Sequence, residues 1–118
     1  MSSHPLADPD IEVTTQHTAQ ALQDGSATVI DVREDYEREA GHVPGTRHIE
    51  IERLASEAQT IDRERPVIFQ CRLGSRSLLA AQAFRRAGYD AWSMAGGLTT
   101  WDEEGRPLEP ADGHVADH

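Results

Sequence analysis

Short apolar runs alternate with amphipathic stretches along this chain, and the alternation predicts an architecture. "ATVIDVR", from Ala27, and "RPVIFQ", from Arg65, are compact apolar runs bounded by charge, as expected of strands buried on both faces. "IEV", from Ile11, and "DAWSM", from Asp90, predict two further short strands. Thr14 is a suitable N-cap for a helix through Asp24, with Gly25 as its stop. "EDYEREAGHVPG" reads as a short acidic helix broken at Gly41, followed by a turn at Pro44 and Gly45. "EIERLASEAQTID" places Ile51, Leu54, Ala55 and Ala58 at helical spacing. Ala80, Ala83, Phe84 and Ala87 fit the i, i+3, i+4, i+7 template of an amphipathic helix ended by Gly88. Gly96 and Gly97 open a last helix that contains Trp101.

The resulting order is strand, helix, strand, helix, helix, strand, helix, strand, helix. It predicts an α/β domain with a mostly parallel sheet, in which ligands bind where strand carboxyl ends lead into helices. Residues 11–107 form the domain, 1–10 a flexible lead-in and 108–118 a mobile acidic tail. At 118 residues the chain suits one hydrophobic core. It has no apolar run long enough to cross a bilayer, and its first residues lack the features of a signal peptide. With a single cysteine it has no disulfide framework, which fits a reducing, cytoplasmic setting.

Charge sharpens the picture. The chain carries −10 overall, yet no acidic residue lies between Arg65 and Tyr89. That window holds Arg65, Arg72, Arg76, Arg85 and Arg86, a charge of +5 that leaves −15 for the remainder. Such a molecule repels nucleic acid and anionic membrane as a whole, so neither is an expected partner. Its one positive window surrounds the only cysteine, Cys71. Every cation is an arginine and therefore permanently charged.

Cys71 stands between a predicted strand and a predicted helix, in "CRLGSRS". A tight loop in that setting turns several backbone N–H groups inward as an anion nest, and the helix adds its positive end. Gly74 permits the dihedrals such a loop needs. A cysteine at the first position is placed to be a nucleophilic thiolate, with Arg72 and Arg76 adding positive charge. The spacing is C-x4-R. Cysteine phosphatases cradle a tetrahedral phosphate with C-x5-R, so a ring one residue shorter draws its amides closer to the sulfur. Its natural guest is one added sulfur atom, held as a persulfide.

Four segments together resemble the rhodanese-like, single-domain sulfurtransferase family, over roughly Ile11 to Pro107. "VIDVRE" looks like that family's strand motif. "YEREAGHVPGTRHI" is similar to its "E(Y/F)xxGHIPGAxNI", "CRLGSRS" to its CRxGxRS loop, and "YDAWSMAGGLTTWDEEGRPL" to its "GGxxxWxxxGxP" signature. The resemblance implies a five-stranded central sheet flanked by helices. It implies a Cys71 thiolate that takes sulfane sulfur from a small donor such as thiosulfate and passes it to cyanide, a thiol or a protein. Within the loop, Arg72, Leu73, Gly74, Ser75 and Arg76 become substrate-binding positions. Arg72 could attract a sulfonate. Arg76 matches the loop-closing arginine, paired on this reading with Asp31 as a buried brace, and Arg33 enters a structural ion pair. The sequence departs from the pattern at Leu73, where a small residue is common, and at His48 and Glu50, which replace asparagine and proline. Leu73 makes the mouth of the loop more apolar and favours a hydrophobic or protein-borne donor.

Other residues carry plainer expectations. Asp31 is a brace rather than a general base, because a thiolate held by amides needs none. His42 is structural, Trp92 and Trp101 are packing residues, and the histidines show no metal-ligand spacing. No metal or cofactor is expected. The competing function is a non-catalytic sulfur-sensing or protein-binding module of the same fold; retention of the cysteine and its arginines favours the enzyme. Lacking a second cysteine, the protein needs an outside thiol to relieve any mixed disulfide or persulfide.

Overall fold

The computed structural model describes residues 10–118, so the expected lead-in lies, but for Asp10, outside the described residues. Its elements are β1 (Glu12–Val13), α1 (Thr15–Asp24), β2 (Thr28–Asp31), α2 (Asp35–Ala40), β3 (Arg47–His48), α3 (Leu54–Glu57), β4 (Val67–Gln70), α4 (Ser75–Arg86), β5 (Ala91–Met94) and α5 (Gly97–Glu103). The five strands form one all-parallel sheet in the order β1-β5-β4-β2-β3. Thr14 caps α1 through the His17 N–H at 2.9 Å, and Gly25 ends it in the left-handed region at φ 71°. β3 has no counterpart in the hydrophobic pattern, because it is two half-buried polar residues long.

Alternate residues of the central strands feed two apolar layers. On one face Ile30, Phe69 and Cys71 pack with α3 and α4; on the other Val29, Ile68 and Met94 pack with α1 and α5. Phe69, Phe84 and Tyr89 stack in tilted pairs with centroids 4.9 and 4.8 Å apart, fastening α4 to β4. β4 is the middle strand, bounded by β2 on one side and β5 on the other, and the chain crosses outward in opposite directions from β2 and β4. Such a reversal opens a crevice at the carboxyl ends of the strands, and Cys71 lies directly after β4. No helix among the described residues is long and apolar enough to cross a membrane.

Two expectations change. The segment from Glu50 to Asp62 is not one helix: a 3-10 turn (Ile51–Arg53), α3 and a second 3-10 turn (Ala58–Thr60) follow one another. Only Leu54 within these pieces is fully buried, so the apolar stripe is too thin to sustain a continuous α-helix. The buried face of α4 is Ser77, Ala80, Ala81 and Phe84, whereas Ala83 and Ala87 are exposed. Alanine marks no face by itself; Phe84 and Ser77 set the rotation. Residues 108–118 run along α2. Glu109 and His42 exchange backbone hydrogen bonds of 2.8 and 3.0 Å, and the His114 N–H donates to the Ala40 carbonyl at 2.9 Å. Leu108 and Val115 pack against the apolar layer that contains Trp101. Two apolar side chains and a few backbone bonds leave no periodic trace in a sequence.

Candidate active site

The loop after β4 is held from behind by α5. The Leu98 N–H donates to the Cys71 carbonyl at 2.8 Å and the Thr99 N–H to the Arg72 carbonyl at 3.0 Å. This approach requires Gly97, since a Cβ there would overlap both carbonyls. Gly74 then turns the chain at φ 108°, a value that L side chains rarely adopt, and α4 begins at Ser75. Ser75 and Arg76 open the helix, so their N–H groups have no acceptor within it.

The sulfur lies inside this turn. Cys71 is fully buried, and its Sγ accepts from the Gly74 N–H at 3.1 Å and the Ser77 N–H at 3.4 Å. The Ser77 hydroxyl is 3.5 Å from Sγ and donates to the Gly74 carbonyl at 3.1 Å. Two amides directed at one sulfur favour negative charge on it, so burial here does not make the cysteine an inert packing residue.

Arg76 closes the loop, but its partner is Glu37 and not Asp31. Its guanidinium donates to the two carboxylate oxygens at 2.8 and 3.0 Å in a bidentate fork. Burial pushes the Glu37 carboxyl up, but the Arg76 fork and the Glu34 N–H push it down further, and it lies below the usual carboxylate range. Asp31 instead receives a bidentate fork from Arg33, both bonds 2.9 Å, and a longer contact of 3.4 Å from Arg38. Arg33 also donates to the Gly41 carbonyl at 2.8 Å, and so ties the end of β2 to the end of α2. Asp31 is the shorter acid and already spent on Arg33. Glu37 reaches the loop from a different element. Its signal was present in the sequence, as the glutamate four residues before Gly41 in "YEREAGHVPG".

Arg72 differs from its neighbours. Its guanidinium forms no ion pair among the described residues, and its Nε is buried without a hydrogen-bond partner. Leu73 is 55% exposed beside it, and Leu79 on α4 is 62% exposed. Both line a groove of about 640 Å³ that runs past Gly74, Ser75 and Leu78 to Ala95. Ser75 is itself exposed. His48 takes up a hydrogen bond of its own, Nε2 donating to the Arg33 carbonyl at 2.7 Å, and its Nδ1 lies 3.5 Å from Asp35. His42 contacts the Arg38 carbonyl through Nδ1 at 3.2 Å.

Ser77 and Ser93, which the sequence reading did not single out, are both fully buried at the site, their hydroxyl oxygens 2.8 Å apart. Serine inside a strand or a helix face gives no periodic signal. Glu34, Glu37 and His118 each bring a ligand-type atom within 4.8 Å of the others. Arg76 already holds both oxygens of Glu37, and His118 Nε2 lies 2.9 Å from Glu34 Oε2, so the trio is a hydrogen-bonded network extending the brace.

Comparison with known proteins identifies relatives of the whole fold. The family model described as "Rhodanese-like domain" matches residues 14–104. The chain is 33% identical over 95 residues to thiosulfate sulfurtransferase GlpE of Pseudomonas aeruginosa (strain LESB58), covering 80% of this chain and 83% of that protein. Among solved structures, a rhodanese-related protein from Thermoplasma volcanium superposes with a TM-score of 0.77 at 26% identity, over 83% of this chain and 96% of that one. A rhodanese-like domain protein from Staphylococcus aureus superposes with a TM-score of 0.75 at 25% identity, over 84% and 96%.

Proposed function

The chain belongs to the rhodanese-like domain family, and from that premise we propose that it is a sulfurtransferase working through a persulfide on Cys71. The observation that carries the proposal is the convergence of the Gly74 and Ser77 N–H groups on the Cys71 sulfur, in a loop locked by the Arg76–Glu37 fork.

The reaction divides into two displacements. In the first, the Cys71 thiolate attacks the outer sulfur of thiosulfate. The S–S bond of the donor breaks, sulfite leaves with the electron pair, and Cys71 carries a terminal sulfur anion. In the second, cyanide or a thiolate bonds to that terminal sulfur, the bond between it and Cys71 Sγ breaks, and the electron pair of that broken bond leaves on the Cys71 thiolate. Neither step needs a proton from the enzyme, in keeping with Asp31 being committed to Arg33 and Arg38. The inward amides serve both anions, because the negative charge moves by one S–S bond and never leaves the ring. Arg72, without an ion pair among the described residues, is placed to meet a sulfonate. The apolar groove at Leu73 and Leu79 supports a donor or acceptor with an apolar body, or one carried on a protein.

Steady-state kinetics test the reading. With thiosulfate and cyanide the wild type is expected to give parallel double-reciprocal lines and to form sulfite and thiocyanate in equal amounts, and Cys71→Ser to form neither. Thiocyanate production that survives Cys71→Ser would refute it.

A further inference from the structure

Ser93 is a hydroxyl in an otherwise apolar place. It sits on β5 opposite Phe69 of β4, is fully buried, and shares the face of the sheet that α4 covers. A buried hydroxyl is costly unless it is hydrogen-bonded. Among the described residues its Oγ has one side-chain partner, the Ser77 Oγ at 2.8 Å.

Counting protons assigns the direction of that bond. Each hydroxyl has one proton. Ser77 has three neighbours that could accept its own: the Gly74 carbonyl at 3.1 Å, the Cys71 sulfur at 3.5 Å and Ser93. Ser93 has only Ser77, so the proton between the two oxygens is the one from Ser93. When Cys71 is a thiol, its S–H can donate to Ser77 Oγ while Ser77 donates to the Gly74 carbonyl. When the sulfur is an anion it can only accept, and the Ser77 hydroxyl turns to it. The Gly74 carbonyl is not orphaned by that turn, because it keeps the Leu78 N–H at 3.0 Å. In both states Ser93 donates to Ser77, and a hydroxyl that accepts a hydrogen bond donates a stronger one.

We propose that Ser93 is a positioning residue for Cys71: through Ser77 it strengthens hydrogen bonding to the sulfur anion and favours the form that attacks the donor. It rests on the reading of Cys71 as the nucleophile, but its test does not require sulfur transfer. Among the described residues, Arg72, Arg76 with its partner Glu37, Asp31, and Glu12 on the groove are charged groups near the loop, and the variants below leave all of them in place.

The test is a titration of the far-ultraviolet thiolate absorbance, taken in each background as the difference from the Cys71→Ser form. Cys71 is the only cysteine, so the difference reports one group. Ser93→Ala is expected to lower the thiolate fraction about threefold at a pH below the midpoint, and Ser77→Ala about tenfold. In the Ser77→Ala background, Ser93→Ala should have no further effect, because its route to the sulfur is gone. As an isosteric pair, Ser93→Thr should titrate like wild type and Ser93→Val like Ser93→Ala. The proposal is overturned if Ser93→Ala titrates like wild type, if it acts equally with Ser77 absent, or if Thr and Val at 93 shift the midpoint alike. If no variant can be loaded with sulfur but the titrations behave as described, the proposed function fails and the role of Ser93 stands.

Discussion

A sulfur anion can only accept hydrogen bonds, and the residues placed around Cys71 are donors and cations. Gly74 and Ser77 supply N–H groups and Arg76 a positive charge whose position is fixed by Glu37, while the Ser77 hydroxyl lies 3.5 Å from the sulfur. Arg72 is different, since it forms no ion pair among the described residues. Its effect should therefore depend on the charge of the donor. Arg72→Ala is expected to raise KM for the thiosulfate dianion about tenfold while changing KM for a neutral organic polysulfide much less. Equal changes for both donors would mean that Arg72 does not meet the sulfonate. The candidate nucleophile and the two loop arginines stand together in "CRLGSRS" itself. The partner of Arg76 could not be read there, because a C-x4-R spacing says nothing about which acid of another element reaches the guanidinium.

At the scale of elements, α2 and the loop before α4 act as one unit. α2 is six residues long, too short to persist by itself. It is fixed by the capping box between Glu34 and Glu37, by the Arg33 bond to Gly41 and by the residue 109–114 strand of chain laid along it. Glu37 takes part in both the cap and the Arg76 fork, so it joins helix and active loop. Its carboxyl lies below the ordinary range in the folded protein, so the unfolded chain binds a proton more readily. The pair therefore stabilises fully above the ordinary carboxylate range and loses its contribution as pH falls through the lower, folded value. Glu37→Gln is expected to cost about 3 kcal/mol at neutral pH, with a lower kcat as the loop loosens. In acid the melting temperatures of wild type and variant should converge, since wild type is then itself uncharged at this position. A constant difference across pH would show that the charge of Glu37 is not what holds the loop.

For the molecule as a whole, the hydrophobic pattern carried most of the architecture. "ATVIDVR", "RPVIFQ" and "DAWSM" became β2, β4 and β5 because strands buried on both faces read as short, mostly apolar runs. What it left out had no apolar signal to give: β3 is Arg47 and His48, and the chain after Pro107 is held mainly by backbone bonds and by Leu108 and Val115. Four motifs spread between residues 29 and 108 meet in one fold, and their meeting makes a lone cysteine a candidate sulfur carrier. The most direct measurement is the intact mass of the protein after exposure to thiosulfate and removal of small molecules. The expected result is a gain of about 32 Da, one sulfur atom on Cys71, that disappears on adding cyanide and is absent from Cys71→Ser. No gain with thiosulfate, polysulfide or glutathione persulfide would contradict the persulfide mechanism.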